Sequence, residues 1–415
     1  MPHIAIIGAG ITGVTSAYAL NSLGYDVTVV DRNRYAAMET SFANGGQLSA
    51  SNAEVWNSTA TLVKALGWMC RRNAPLLVNP SPGWHKYSWF AEFMGQIRNH
   101  RVHTMDTTRL AIEAREHLYA IARDEGIDFD LERRGILHIY HDARSFAAAQ
   151  RGHELMLAAG LERYAVTPSE IRDIEPSLDG HYHAGFYTPS DASGDIHKFT
   201  RGLSMACERR GVRFLMNTVV DRVKRQVARH ELHLVDDSGR DAGVIETDAV
   251  VVCAGVGSRR VAAMFGDRVN IYPVKGYSIT VHLDDADPEA SAPRVSLLDE
   301  AAKIVTSRLG ARFRVAGTAE FNGENRDIRA DRIQPLIDWT RRTFSRMPTD
   351  RVVPWAGLRP MMPSMMPCVG KGRQDGVFYN TGHGHLGWTL SAATAQCLAG
   401  IVAQAVPNPR PVPVA

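Results

Sequence analysis

The feature that most constrains this chain is a glycine turn, Gly8-Ala9-Gly10-Ile11-Thr12-Gly13, set between an apolar run and a helix-like stretch. His3 to Ile7 reads as a strand, Thr12 to Leu23 as a helix and Asp26 to Asp31 as a second strand, so the turn opens a complete βαβ unit. Each glycine has a separate physical use. Gly8 lets the chain turn sharply, Gly10 lets the backbone approach a pyrophosphate, and Gly13 lets the helix pack close to the strand. The helix N-terminus then points at an anion. Asp31 ends the second strand, where a carboxylate bonds ribose hydroxyls and repels a 2′-phosphate, which disfavours NADP. These residues leave NAD and FAD both open.

A second strand–turn–helix stands near the other end of the chain. Val377 to Asn380 reads as a strand, Asn380-Thr381-Gly382-His383-Gly384-His385-Leu386-Gly387-Trp388-Thr389 as the turn, and Thr389 to Ala403 as an apolar helix. An NAD-only enzyme has little use for it. A helix N-terminus beside a flavin stabilises the negative charge that gathers on reduction.

Between the two turns, Thr104 to Glu125 and Ile196 to Arg210 have helical spacing. Strand-like runs fall at Gly135 to Tyr140, His183 to Tyr187, Val212 to Val220, Glu231 to Val235 and Ala249 to Cys253. Ile271 to Val281 and Lys303 to Ala319 alternate polar with apolar residues, as a half-buried antiparallel sheet does. Residues 56–103 break at Pro75, Pro80, Pro82 and Gly83 into two short helical pieces. No internal repeat is present, and the Pro-rich tail from Val406 is expected to be mobile.

Composition narrows the classes. The 47 basic and 44 acidic side chains leave a net charge of +3, too balanced for a nucleic-acid partner. Cys70, Cys207, Cys253, Cys368 and Cys397 are odd in number, scattered and without a C-x-x-C pair, so a reducing, cytoplasmic setting with no disulfide framework and no metal site is expected. Gly8, Gly10, Gly13 and Gly24 interrupt the N-terminal apolar runs, so no cleaved leader is expected. No run of eighteen apolar residues occurs, and no transmembrane helix is expected.

Four stretches together resemble the D-amino-acid dehydrogenases, within the wider D-amino-acid oxidase and glycine oxidase superfamily of FAD enzymes. They are the first glycine turn; Glu39-Thr40-Ser41-Phe42-Ala43-Asn44-Gly45-Gly46-Gln47; Tyr272-Pro273-Val274-Lys275-Gly276-Tyr277-Ser278; and Gly357-Leu358-Arg359-Pro360 with the Thr381 to Thr389 loop. The resemblance spans nearly the whole chain. It implies an α/β fold: an interrupted, Rossmann-like FAD-binding domain (1–85, 165–260 and 355–415) with an inserted α+β substrate domain (86–164 and 261–354) on an antiparallel sheet. It also implies FAD contacts from Gly8 to Gly13, at Asp31 and Arg32, at Ser41, Asn44, Gln47 and Leu48, around Val219 and Val220, at Ala254 and Gly255, and from Gly382 through His383, Gly384, His385, Leu386, Gly387 and Trp388 to Thr389.

For the substrate, the resemblance gives Arg359 the carboxylate, for which a guanidinium supplies two parallel donors. Tyr277 is implied to donate to that carboxylate or close the pocket. Hydride transfer from Cα to flavin N5 then requires a neutral amine and alignment rather than a dedicated base, giving an imine or 2-keto acid. Two departures bear on the substrate: Ser364-Met365-Met366 replaces the usual Asp-Gly turn, and His385 stands where a small hydroxyl residue is usual. A methionine-lined loop suggests a D-proline-like cyclic amine.

Lys64, Arg71, Arg72, Lys86, Arg98 and Arg101 lie among Trp68, Met69, Trp84, Trp89, Phe90 and Phe93, a composition that suits peripheral contact with the inner face of a membrane. The electron acceptor stays open between quinone, a partner subunit and oxygen. The rival readings are a glycine or sarcosine oxidase, a flavin-bearing electron-transfer subunit and an NAD-dependent dehydrogenase.

Overall fold

A computed structural model describes residues 1–59, 61, 74–226, 229–283 and 292–408. Lys64, Trp68, Met69, Cys70, Arg71, Arg72 and the tail beyond Asn408 lie outside the described residues.

The first glycine turn works by letting backbone meet backbone. The strand His3–Ile7 lies parallel to both Asp26–Val30 and Ala249–Val252, with the helix Ile11–Ser22 crossing over. Gly8 holds φ at +113°, and a Cβ there would stand 2.5 Å from the carbonyl oxygen of Cys253. A Cβ on Gly13 would stand 1.8 Å from the carbonyl oxygen of Gly8. No larger residue fits either place.

Six strands form this sheet in the order Cys368–Lys371, Val377–Thr381, Ala249–Val252, His3–Ile7, Asp26–Val30 and Arg213–Leu215. They come from the start, middle and end of the chain, and all pairs but the first are parallel. Side chains from Ile11–Ser22, His100–Glu125, Ile196–Arg209 and Gly387–Ala405 share one buried core with it. The last of these helices is long and apolar enough to cross a membrane, but here it packs against Ile11–Ser22 and His100–Glu125.

The run Val212 to Val220, expected as one strand, is two. Asn217 turns the chain at φ +53° and donates its N–H to Asn33. Thr218–Arg225 then opens a three-stranded sheet with His230–Asp236 and Asp241–Thr247.

A nine-stranded, mostly antiparallel sheet builds the other half. Its edge strand Val352–Met361 pairs with Tyr272–His282, which pairs with Arg312–Phe321. One face is covered by the helix Ala330–Thr343, whose Ile333, Leu336 and Trp339 pack on Tyr277, Ile279 and Val315. The two sheets give the expected fold class. The expected division of the chain between them is crossed: Leu76–Val78 and Ala184–Thr188 join the nine-stranded sheet, and His100–Glu125 packs on the helix Gly387–Ala405. Pairing partners, rather than sequence position, decide where a strand belongs.

The tail differs from expectation at its start. The carbonyl of Val406 accepts from the Tyr25 hydroxyl at 2.7 Å, and Asn408 donates to the carbonyls of Leu23 and Gly24.

Candidate active site

A cavity of about 630 Å³ is lined by both glycine turns. Of the residues expected at the cofactor, Gly8, Gly10, Ile11, Thr12, Asp31, Arg32, Ser41, Asn44, Gln47, Val219, Val220, Ala254, Gly255 and every residue from Gly382 to Thr389 line it. Ala9, Gly13 and Leu48 do not. Ala9 and Leu48 are buried in the core behind the wall, and Gly13 acts as the spacer already described.

Asp31 ties the turn together. Its Oδ2 accepts from the Ala9 N–H at 2.6 Å and its Oδ1 from the Asn33 N–H at 2.8 Å. Arg32 pairs with Glu39 at 2.6 Å. Ser41 Oγ accepts from the Ile11 N–H at 3.1 Å, which sets the serine over the start of the first helix. Asn44 Oδ1 accepts from the Gly46 N–H at 2.9 Å, and Gln47 Nε2 donates to Ser296 and Leu297 at 2.9 Å each. Gln47 Oε1 is buried and without a partner among the described residues.

The loop after Gln47 is pinned by a buried carboxylate. Asp191 accepts from the N–H groups of Ala50 and Ser51 at 2.9 and 3.0 Å and pairs with Arg115 at 3.0 Å. That anchorage places Asn52, whose carbonyl accepts from His385 Nε2 at 3.3 Å. A carbonyl has no proton to give, so the Nε2–H tautomer of His385 is fixed. Burial, and then the charge of Arg359, lower the His385 pKa to about 4, so the ring is neutral at pH 7. It stacks on Trp56 with centroids 4.9 Å apart. His383 Nε2 meets Thr394 Oγ1 at 3.0 Å, and burial lowers its pKa to about 3. A neutral His383 bonded within the last helix acts as a cap and packing group.

Arg359 stands on the edge strand and lines the cavity. Its Nη1 donates to the Thr318 carbonyl at 3.1 Å, and among the described residues no carboxylate pairs with it. Burial alone lowers its pKa to about 10. A guanidinium held in place without a counter-ion is a site for an anion.

Two expectations are corrected. Tyr277 lines the cavity, but its hydroxyl donates to Glu320 at 2.7 Å and its ring packs with Leu336, so of its two expected roles the donation to a substrate carboxylate is removed and its place in the pocket wall is kept. The loop methionines do not line the cavity: Met361 and Met365 pack with Trp89 and Phe93, and Met362 packs in the core that holds Ile271. The argument from them for a ring-shaped pocket is removed.

Asn52, Trp56, Lys303, Thr318 and Trp355 also line the cavity and were not read from the sequence as site residues. Their approach depends on strand pairing and loop anchorage; only Trp56, in the aromatic-rich stretch, carried any local signal.

A flavin dinucleotide suits these residues. The first helix opens on the cavity with no acidic side chain in its first turn, as a pyrophosphate requires, and Asp31 stands beside it. The helix Gly387–Ala405 opens on the same cavity, and the buried, unpartnered Gln47 Oε1 waits for a donor.

Over residues 3–401 the chain matches the DAO family, described as FAD dependent oxidoreductase. It is 62% identical over 408 residues to D-amino acid dehydrogenase 3 of Mesorhizobium japonicum, covering 98% of both chains. It is 40% identical over 410 residues to a D-amino acid dehydrogenase of Paramagnetospirillum magneticum, covering 96% of this chain and 94% of that one. Its fold matches the crystal structure of glycine oxidase from Geobacillus kaustophilus with a TM-score of 0.77 at 18% identity, over 97% of this chain and 95% of that one. Likeness of this extent makes the chain a member of the D-amino acid dehydrogenases among the FAD-dependent oxidoreductases, with FAD as its cofactor.

Proposed function

We propose that the chain carries out the oxidative deamination of a D-amino acid of compact side chain, D-proline among them. The observation that carries this reading is Arg359, a guanidinium to which the described residues supply no counter-ion, in the cavity that both glycine turns line. FAD, when bound, supplies the acceptor for the hydride that leaves Cα. Arg359 holds the carboxylate and so fixes which hydrogen is presented. The neutral His385 adds no charge beside the substrate amine, and its stack with Trp56 forms one wall that limits side-chain size. The imine formed from a primary amine is hydrolysed by water to a 2-keto acid and ammonia, whereas D-proline yields a cyclic imine and releases no ammonia. The relatives named as D-amino acid dehydrogenases support the D configuration.

Anaerobic addition of D-amino acids to the holoenzyme tests this. D-Alanine and D-proline are expected to bleach the flavin while their L-enantiomers do not. Bleaching by glycine or sarcosine but by no D-amino acid overturns it.

A second reading concerns the acceptor. On the helix Trp84–Gly95, Lys86, Trp89 and Phe93 are buried, which removes them from the expected membrane face. Trp84, Tyr87 and Met94 remain 85%, 50% and 51% exposed on one side of that helix. That face is proposed to rest on the inner side of an anionic membrane, near a quinone acceptor. Co-sedimentation with anionic vesicles at low salt, lost in Trp84→Ala/Tyr87→Ala, supports it; no co-sedimentation of the native protein overturns it.

A further inference from the structure

Arg359 reaches its carbonyl partner by crossing a neighbouring strand, and the crossing point is a glycine. Arg359 lies opposite Val274, yet its Nη1 bonds Thr318 on the strand beyond. The guanidinium therefore lies flat over Gly276. A Cβ there would stand 2.3 Å from Nη2, 2.5 Å from Cζ and 2.8 Å from Nη1. Any side chain at 276 displaces the group.

Gly276 pairs in register with Gly357, where a Cβ would stand 2.1 Å from Cη2 of Trp355. Trp355, Gly357 and Arg359 alternate onto one face of the edge strand. Indole and guanidinium thus converge on the glycine pair from opposite sides, and both line the cavity. Thr318 holds φ at +61°, unfavourable for a β-branched residue, where the ladder is out of register between Lys275 and Tyr277. The strain sits where a carbonyl serves the arginine.

We propose that Gly276 and Gly357 are positioning residues that divide recognition of the substrate between them. Gly276 lets Arg359 lie fixed in plane, with Nη1 held by Thr318 and the remaining N–H groups left for two parallel bonds to the carboxylate. Gly357 lets Trp355 lie back, so that the indole bounds the side chain. The proposal rests on the reading of Arg359 as the carboxylate site.

The test is titration of the holoenzyme, followed by flavin absorbance, with pyrrole-2-carboxylate and with pyrrole-2-carboxamide. Gly276→Ala is expected to weaken carboxylate binding about tenfold or more, leave the carboxamide within about twofold, and retain FAD. In the Arg359→Gln background the same replacement is expected to have no further effect, since the group it displaces is gone. Gly357→Ala is expected to keep carboxylate binding within about threefold and to lower the kcat/KM ratio of D-phenylalanine to D-alanine about fivefold. Unchanged carboxylate binding in Gly276→Ala, a loss that persists in the Arg359→Gln background, loss of FAD in both Gly276→Ala variants, or an unchanged side-chain ratio in Gly357→Ala overturns the proposal. If Arg359→Gln itself binds the carboxylate normally, the reading of Arg359 falls and the proposal with it. Normal binding in Gly276→Ala alongside loss in Arg359→Gln overturns the proposal alone.

Discussion

Two pairs of glycines do different work in this protein. At the first turn, Gly8 and Gly13 clear the way for backbone, with Cys253 and Gly8 carbonyl oxygens inside the space a Cβ would take. On the substrate sheet, Gly276 and Gly357 clear the way for the ends of two long side chains. Backbone cannot yield without moving its strand; a guanidinium or an indole can swing. The first pair is therefore a condition of folding and the second a condition of recognition.

The largest effect is expected from Gly13→Ala, which forces helix and strand apart and should leave protein that retains no flavin after purification. A yellow, folded Gly13→Ala protein would break the comparison. Arg359→Gln comes next: losing a charge-assisted pair of bonds costs roughly 3 kcal/mol, about a hundredfold in kcat/KM, with FAD content unchanged. Steady-state kinetics on D-alanine checks it.

A pH effect of intermediate size belongs to the second glycine turn. His383 is 3% exposed, and burial lowers its folded pKa to about 3, below its unfolded value. The unfolded chain then binds a proton that the folded one refuses. Stability from this group is full above about pH 6.5 and is lost as pH falls toward 3, by about 2 kcal/mol at pH 5. Urea unfolding of native protein and His383→Asn at pH 7 and pH 5 measures the difference in slope. The smallest effect is expected from His385→Ser, which opens the wall against Trp56 and should raise the D-phenylalanine to D-alanine kcat/KM ratio by about threefold. Because His385 is neutral, the pH profile of kcat/KM should not shift.

The part of the molecule legible in the sequence is the part made by local rules. Gly8, Gly10 and Gly13 stand between neighbouring elements, and Asp31 follows directly, so pattern and spacing suffice. The edge strand Val352–Met361 was hidden by Pro354 and Pro360, which a sheet tolerates only where no further ladder is needed. The helix Ala330–Thr343 was hidden by Pro335 inside it. The motif places Tyr277 on a strand at the cavity, but the partner of its hydroxyl is Glu320, a residue far along the chain that no local pattern names. Trp56 and Asn52 reach the cavity only because Asp191 and Arg115 anchor their loop, a pairing no local pattern carries.

The sheet that carries the first turn has a consequence for how the protein is made. Its central strand Ala249–Val252 takes Val377–Thr381 as neighbour, and the cavity takes a wall from Gly382 to Thr389. A nascent chain still lacking those residues has its fingerprint complete, its sheet unfinished and its cavity open to water. Synthesis from the N-terminus thus delivers the recognition motif early and the means of keeping the cofactor last. A polypeptide cut short before Gly382 is expected to retain no flavin, so that possession of the cofactor would mark a chain whose synthesis had passed the second glycine turn.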